Sequence, residues 1–388
     1  MDLGSNMSDP KNFRYPSPST SIPAHSATPP HPPSQINATN TASAIPSPMA
    51  HLPRLLIPRP NPKPGAQRIT TLIQHTLKSY LTLLQHDALP PFIHPLSVAF
   101  DENGSGRQSP LSKSIDWIRT TSSESTGRQV FWGNVRVECE QLCAEYSKFD
   151  KWDLLSAMQA LAFYLLVRID EGETEHNNLD FLLLATVTVL AKQLTWDGLG
   201  ALLPHSQIQN QPNVPSELEI DNAWRSWVVE ESRRRLAVIY RIINMLVYFE
   251  PAARCDLPKD LVLAPLPAKK QLWEATGAST WKQEVEREPG AQTAFGLAIT
   301  GELVRFEIER EAEDHDVVDV DVDTHKDGER RGARKQEKVL TRHEDLLLHK
   351  STNASGKPLV RSAASWEEWC EGMDGFGGIV LLVASLIA

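Results

Sequence analysis

Residues Trp224–Phe249 read WRSWVVEESRRRLAVIYRIINMLVYF, and what the three consecutive arginines do decides how the rest of the chain is understood. Val229, Leu236, Ile239, Ile243 and Leu246 recur at intervals of three, four or seven, which places them on one stripe of an α-helix. The arginines flank that stripe. Glu230 precedes Arg234 by four residues and Glu231 precedes Arg235 by four, an orientation in which carboxylate and guanidinium meet across one turn and contribute roughly 0.2–0.5 kcal/mol per pair. A helix that reads DNA keeps its basic side chains for phosphates and base edges, away from neighbouring carboxylates. The stretch therefore predicts one long core helix whose arginines are structural.

Helical spacing continues on both sides. In QRITTLIQHTLKSYLTLLQ, beginning at Gln67, apolar residues from Ile69 to Leu84 share one face, and Pro90, Pro91 and Pro95 in LPPFIHP then stop the helix. Phe92 and Ile93 should pack inward there, with His94 a packed or capping histidine. Residues from about Asp101 to Thr126 are rich in Gly and Ser and read as a surface connection with a short apolar island at Ile115–Ile118. Val135, Cys139, Leu142, Cys143, Tyr146 and Phe149 return to a helical face, with the two cysteines as small core residues. DKWDLLSAMQALAFYLLVRI, capped by Asp150 or Asp153, is apolar nearly all round and predicts a central helix, and LDFLLLATVTVLAKQL supplies another.

Composition sets the outer limits. The 388 residues are long enough to bury a large core, and 39 basic against 49 acidic residues leave a net charge of −10, without the overall electrostatic footprint of a nucleic-acid binder. Four dispersed cysteines do not form a disulfide framework, and no secretory signal opens the sequence, so an intracellular setting is expected. Residues 1–66 hold about half of the 28 prolines with much Ser and Thr, and read as a disordered tail. The apolar end, GIVLLVASLIA, is shorter than the roughly 20 residues of a membrane helix and predicts a buried terminal helix; no membrane role is expected.

Trp224, Trp227, Glu231, Arg234, Arg235 and Leu236, in WRSWVVEESRRRL, resemble the signature of the regulatory (middle homology) domain of fungal zinc-cluster transcription factors. LPPFIHP, FDKWDLLSAMQALAFYLLVRIDEGETEHNN, LVLAPLPAKKQLWEA followed by Trp281, and the terminal WEEWCEGMDGFGGIVLLVASLIA resemble the same family in the same order. The resemblance covers most of the chain from about residue 67. It implies an all-α, irregular multi-helix regulatory domain over 67–388, a nuclear location, control of a metabolic or secondary-metabolite pathway, and room for a small-molecule effector. The family's DNA-binding module holds two zinc ions through six closely spaced cysteines, and four cysteines without a Cys-x-x-Cys pair cannot build it. Direct DNA binding by this chain is therefore not expected, and other transcription regulators or a second copy of the chain are the expected partners.

Between Glu307 and Lys350 an acidic block precedes a basic one, and residues 308–345 read as a disordered charged insert. Within it Arg330, Arg331, Arg334 and Lys335 form a candidate nuclear import signal. No phosphate-binding glycine loop, dinucleotide fingerprint, hydrolase elbow or zinc-protease motif occurs in the sequence. No catalytic residue, metal ligand or cofactor is assigned. The alternatives to transcriptional control are a helical protein-interaction adaptor outside transcription and, further behind, an enzyme whose site is assembled from distant residues.

Overall fold

Apolar residues at helical spacing leave one face that must be covered, and the chain covers it with further helices. The computed structural model describes residues 53–60, 65–99, 108–121, 124–194, 216–249, 257–287, 294–308 and 359–388, all within the unit Pro46–Ala388. Among these the fold is mostly α-helical, with eleven helices and one small four-stranded sheet.

Helix α1 (Ala66–Gln85) buries Ile73, Leu77, Tyr80, Leu81 and Leu84. After the Pro90-Pro91 turn comes the short α2 (Pro95–Ala99), with Phe92 and Ile93 both buried. Helix α3 (Pro110–Thr120) starts at a proline behind Ser109, whose hydroxyl accepts from the Ser112 N–H, and buries Leu111, Ile115 and Ile118. The surface connection expected over 101–126 is corrected at Pro110–Thr120, where its apolar island is one face of a core helix capped by Ser109-Pro110; residues 101–107 and 122–123 lie outside the described residues.

Helix α4 (Ser125–Glu145) leads to α5 (Lys151–Glu171), which opens on a capping box between Asp150 and Asp153. Every residue of α5 from Leu154 to Arg168 is buried. By length and composition α5 would pass for a membrane span, yet 83% of its apolar window is buried within the protein, against α1, α3, α6 (Asp180–Gln193) and α7 (Glu217–Leu246). Helix α7 contains the arginine stretch and carries its own capping box, Ser216 with Glu219; Val229, Leu236, Ile239, Ile243 and Leu246 all join the main core. The short α8 (Lys270–Trp273), α9 (Ala278–Arg287) and α10 (Trp366–Cys370) follow, and α11 (Gly377–Ile387) packs on α1 and buries Ile379, Val380 and Val383.

The sheet is the element that helical periodicity did not announce. Strands β1 (Leu261–Leu263), β2 (Ala294–Ala298), β3 (Leu303–Ile308) and β4 (Leu359–Ala364) pair antiparallel in sequence order. Leu263, Phe295, Leu297 and Leu303 point into the main core, so the sheet closes one side of the helical body. The β2–β3 turn is made by Gly301, whose φ of +84° suits glycine. Ile308, the first residue of the expected charged insert, is the last of β3; the rest of that insert lies outside the described residues.

The disordered reading of 1–66 is corrected at 53–60, which lies along the helical body: Leu56 is buried in the core and Pro58 forms a β-bridge with Val247. Ala66 also belongs to α1. Composition hid this because proline and arginine signal an exposed linker, whereas here the backbone donors find partners on other elements.

Candidate functional site: a buried arginine hub

Arg235 leaves α7 pointing inward, and both it and Glu231 have fully buried side chains. Such burial is tolerable only where each charge is paired and hydrogen-bonded. Arg235 Nε donates to Glu231 Oε1 at 2.9 Å, and Nη1 donates to the Pro91 carbonyl at 2.8 Å and to Asp374 Oδ2 at 2.5 Å. Nη2 reaches the Ala268 carbonyl at 3.4 Å, and the guanidinium lies over the Trp273 ring at 4.1 Å. Glu231 Oε1 also accepts from the Ala268 N–H at 2.8 Å, while Oε2 stands 2.9 Å from Arg234 Nη1 as an ion pair. Asp374 Oδ1 accepts from the Phe376 N–H, fixing the turn into α11.

The pairing differs in one respect from that expected. Glu230 accepts from Arg233 Nη1 at 2.9 Å, one position earlier than Arg234, and Glu231 holds both Arg234 and Arg235. Neighbours three and four residues apart are both within reach on a helix, and burial of Glu231 draws in two cations.

The remaining signature residues divide between two clusters. Leu236 enters the main core. Trp224 and Trp227 sit in a satellite cluster with Leu272, Trp273 and Trp281, where the Trp227 and Trp281 ring centroids are 5.9 Å apart. His94 meets the Trp273 ring edge-on at 4.9 Å and the Trp224 ring at 6.3 Å, and its Nδ1 accepts from the Leu96 N–H. Burial pushes the His94 pKa down to about 4; a hydrogen bond with the Trp273 backbone partly offsets this, and the Arg235 charge adds to the lowering.

The hub thus gathers stretches far apart in sequence. Pro91 comes from LPPFIHP, Ala268 and Trp273 from LVLAPLPAKKQLWEA, and Asp374 and Phe376 from the terminal stretch. The block containing α5 is tied in by Tyr240, which donates to the Met158 carbonyl at 2.7 Å. Asp374 and Ala268 were not singled out from sequence. An aspartate in a glycine-rich turn signals only a loop, and a backbone partner leaves no side-chain signal.

A cleft of about 480 Å³ opens beside this core between α3, α4 and the start of α5, with Lys113, Glu138, Gln141, Phe149, Trp152 and Ser156 among its walls. Lys113 Nζ stands 3.1 Å from Glu138 Oε2, whose side chain is buried. Its walls combine charged, amide and aromatic side chains.

Among the described residues no three His, Cys, Asp or Glu side chains converge as a metal site. Cys139, Cys143 and Cys370 are free; burial raises the Cys139 thiol pKa, and Cys143 Sγ donates to Thr186. Arg330, Arg331, Arg334 and Lys335 lie outside the described residues. Comparison of the chain with protein-family models, with curated proteins and with solved structures gives no match.

Proposed function

We propose that the chain is a nuclear transcription regulator whose helical body works by binding other regulatory proteins, without reading DNA itself. One observation carries this reading. Four of the five stretches that resemble the regulatory domain of fungal zinc-cluster factors meet around Arg235, and the α5 block joins them through the Tyr240–Met158 hydrogen bond, so the resemblance falls on one connected core. Arg234 and Arg235 are engaged inside that core and are not available to phosphates. A small-molecule effector, which the resemblance allows, would have the cleft beside Lys113 and Trp152 as its seat.

The test joins the full chain to a heterologous DNA-binding domain and measures a reporter carrying that domain's site, alongside the location of a fluorescent fusion. A change in reporter output of several fold and nuclear fluorescence are expected. An unchanged reporter together with exclusion from the nucleus would favour an adaptor outside transcription. Selective binding of the unfused chain to a DNA sequence, resistant to competitor at physiological salt, would overturn the proposed division of labour.

A further inference from the structure

Residues 53–60, PRLLIPRP, contribute no helix and a single β-bridge position, yet they are held at every level. Arg54 Nη1 donates to the Asn177 carbonyl and side-chain oxygen at 2.8 and 2.9 Å, and its Nη2 donates to the Thr174 carbonyl. The Leu55 and Leu56 N–H groups both donate to Asp180 Oδ2, at 2.9 and 3.1 Å. Leu56 fills a core position. The Ile57 carbonyl accepts from the Tyr248 N–H, and the Arg59 N–H donates to the Leu246 carbonyl. Arg59 Nε donates to the Asn244 carbonyl at 2.6 Å, Nη2 donates to the Asn244 side chain at 3.0 Å, and the guanidinium lies over the Tyr248 ring at 4.3 Å.

The receiving groups are fixed by contacts that do not involve the segment. Asp180 is held by the Arg168 fork at 2.8 and 3.2 Å. Asn177 Nδ2 donates to the Gly172 carbonyl while its Oδ1 accepts from the Thr174 N–H. Asn244 Oδ1 also accepts from the Phe249 N–H. Receiving groups that keep partners of their own, backbone pairing along an extended segment, one apolar anchor and an arginine at each end are the elements of peptide recognition.

We infer that the surface formed by the α5–α6 turn and the C-terminal end of α7 is a peptide-docking groove, with residues 53–60 as its resident ligand. The class it accepts is an extended peptide with two arginines five residues apart, an apolar residue between them that enters the core, and a proline before the second arginine. A partner protein bearing such a segment gains the groove by displacing the resident one. This inference stands apart from the transcriptional reading, and either can fail alone.

The test replaces residues 61–64 of the full chain with a protease site, cuts the folded protein there, and measures binding of a fluorescent peptide HLPRLLIPRP by anisotropy. The cut chain should bind the peptide at least ten-fold more tightly than the uncut chain, whose tethered segment competes at high effective concentration. A peptide carrying Arg54→Ala and Arg59→Ala should bind at least ten-fold more weakly than the parent, and Asn244→Ala in the cut chain should weaken the parent peptide severalfold. Equal binding of the parent and doubly substituted peptides would overturn the inference. So would loss of the circular dichroism of the folded body on cutting, since the segment would then be part of the core and not a ligand of it.

Discussion

Arg235 and Asp374 are 139 residues apart in sequence, and their side chains meet at 2.5 Å inside the protein. That contact ties the turn before the last helix to the middle of α7, and removing Arg235 takes the guanidinium partner from Asp374 Oδ2 and leaves Glu231 with only Arg234 and the Ala268 N–H. Arg235→Ala should therefore cost about 3–5 kcal/mol, the usual range for breaking a buried pair by deleting one partner. Arg235→Lys should recover little of this, because an ammonium group cannot fork to Glu231, Pro91 and Asp374 together. Urea unfolding monitored by tryptophan fluorescence provides the measurement.

Two adjacent glutamates should behave in opposite ways. Glu230 and Arg233 form a partly exposed pair, so Glu230→Ala should cost about 1 kcal/mol or less. Glu231 is buried between two guanidinium groups and the Ala268 N–H, and Glu231→Ala should cost about 3–5 kcal/mol. Equal effects of the two substitutions would contradict the hub.

His94 predicts an acid sensitivity. Its pKa is about 4 in the fold against an ordinary value of 6.5, so the unfolded chain binds the proton more readily between those pH values. The contribution is fully present above about pH 6.5 and is lost progressively as pH falls towards 4, where the loss reaches about 3 kcal/mol. His94→Asn keeps an acceptor near the Leu96 N–H and carries no titrating group. The melting temperature of the variant should fall less than that of the parent between pH 7 and pH 5.

In the cleft, Glu138→Ala should leave the Lys113 ammonium without its carboxylate and open space at a buried position, for a loss of about 1–3 kcal/mol. Lys113→Ala should cost a similar amount. The double substitution should fall short of the sum of the two, and a double-mutant cycle reads this directly.

At the start of α7 the Ser216 hydroxyl accepts from the Glu219 N–H. Ser216→Ala should cost about 1 kcal/mol, while Ser216→Asp should retain most of the stability, with thermal melting as the readout.

The helices were legible where apolar spacing was long and strong. The stripe from Val229 to Leu246 marked α7, and the largely apolar run after Asp153, punctuated by Ser156 and Gln159, marked α5. The importance of Glu231 and Arg235 was legible as a four-residue spacing, but their burial was not, because local pairing looks the same on a surface helix. Strands of three to six residues carry little periodicity, and β3 and β4 are brought together across residues 309–358, so their pairing left no local mark. The turn at Thr300-Gly301 between LA and LVRFEI was the available signal for the β2–β3 hairpin. The docking of 53–60 depends largely on backbone groups and on partners more than 100 residues away, which composition cannot register.

Synthesis of this chain has to contend with the burial of α5. Its apolar surface emerges from the ribosome after α1, α3 and α4 but ahead of α6 and α7, two of the helices that cover it. At typical translation rates roughly 2–10 seconds separate the end of α5 from the first residue of α7. During that interval a segment apolar enough to enter a bilayer waits in water with its cover incomplete, so fidelity of production should depend on chaperones that shield nascent helices.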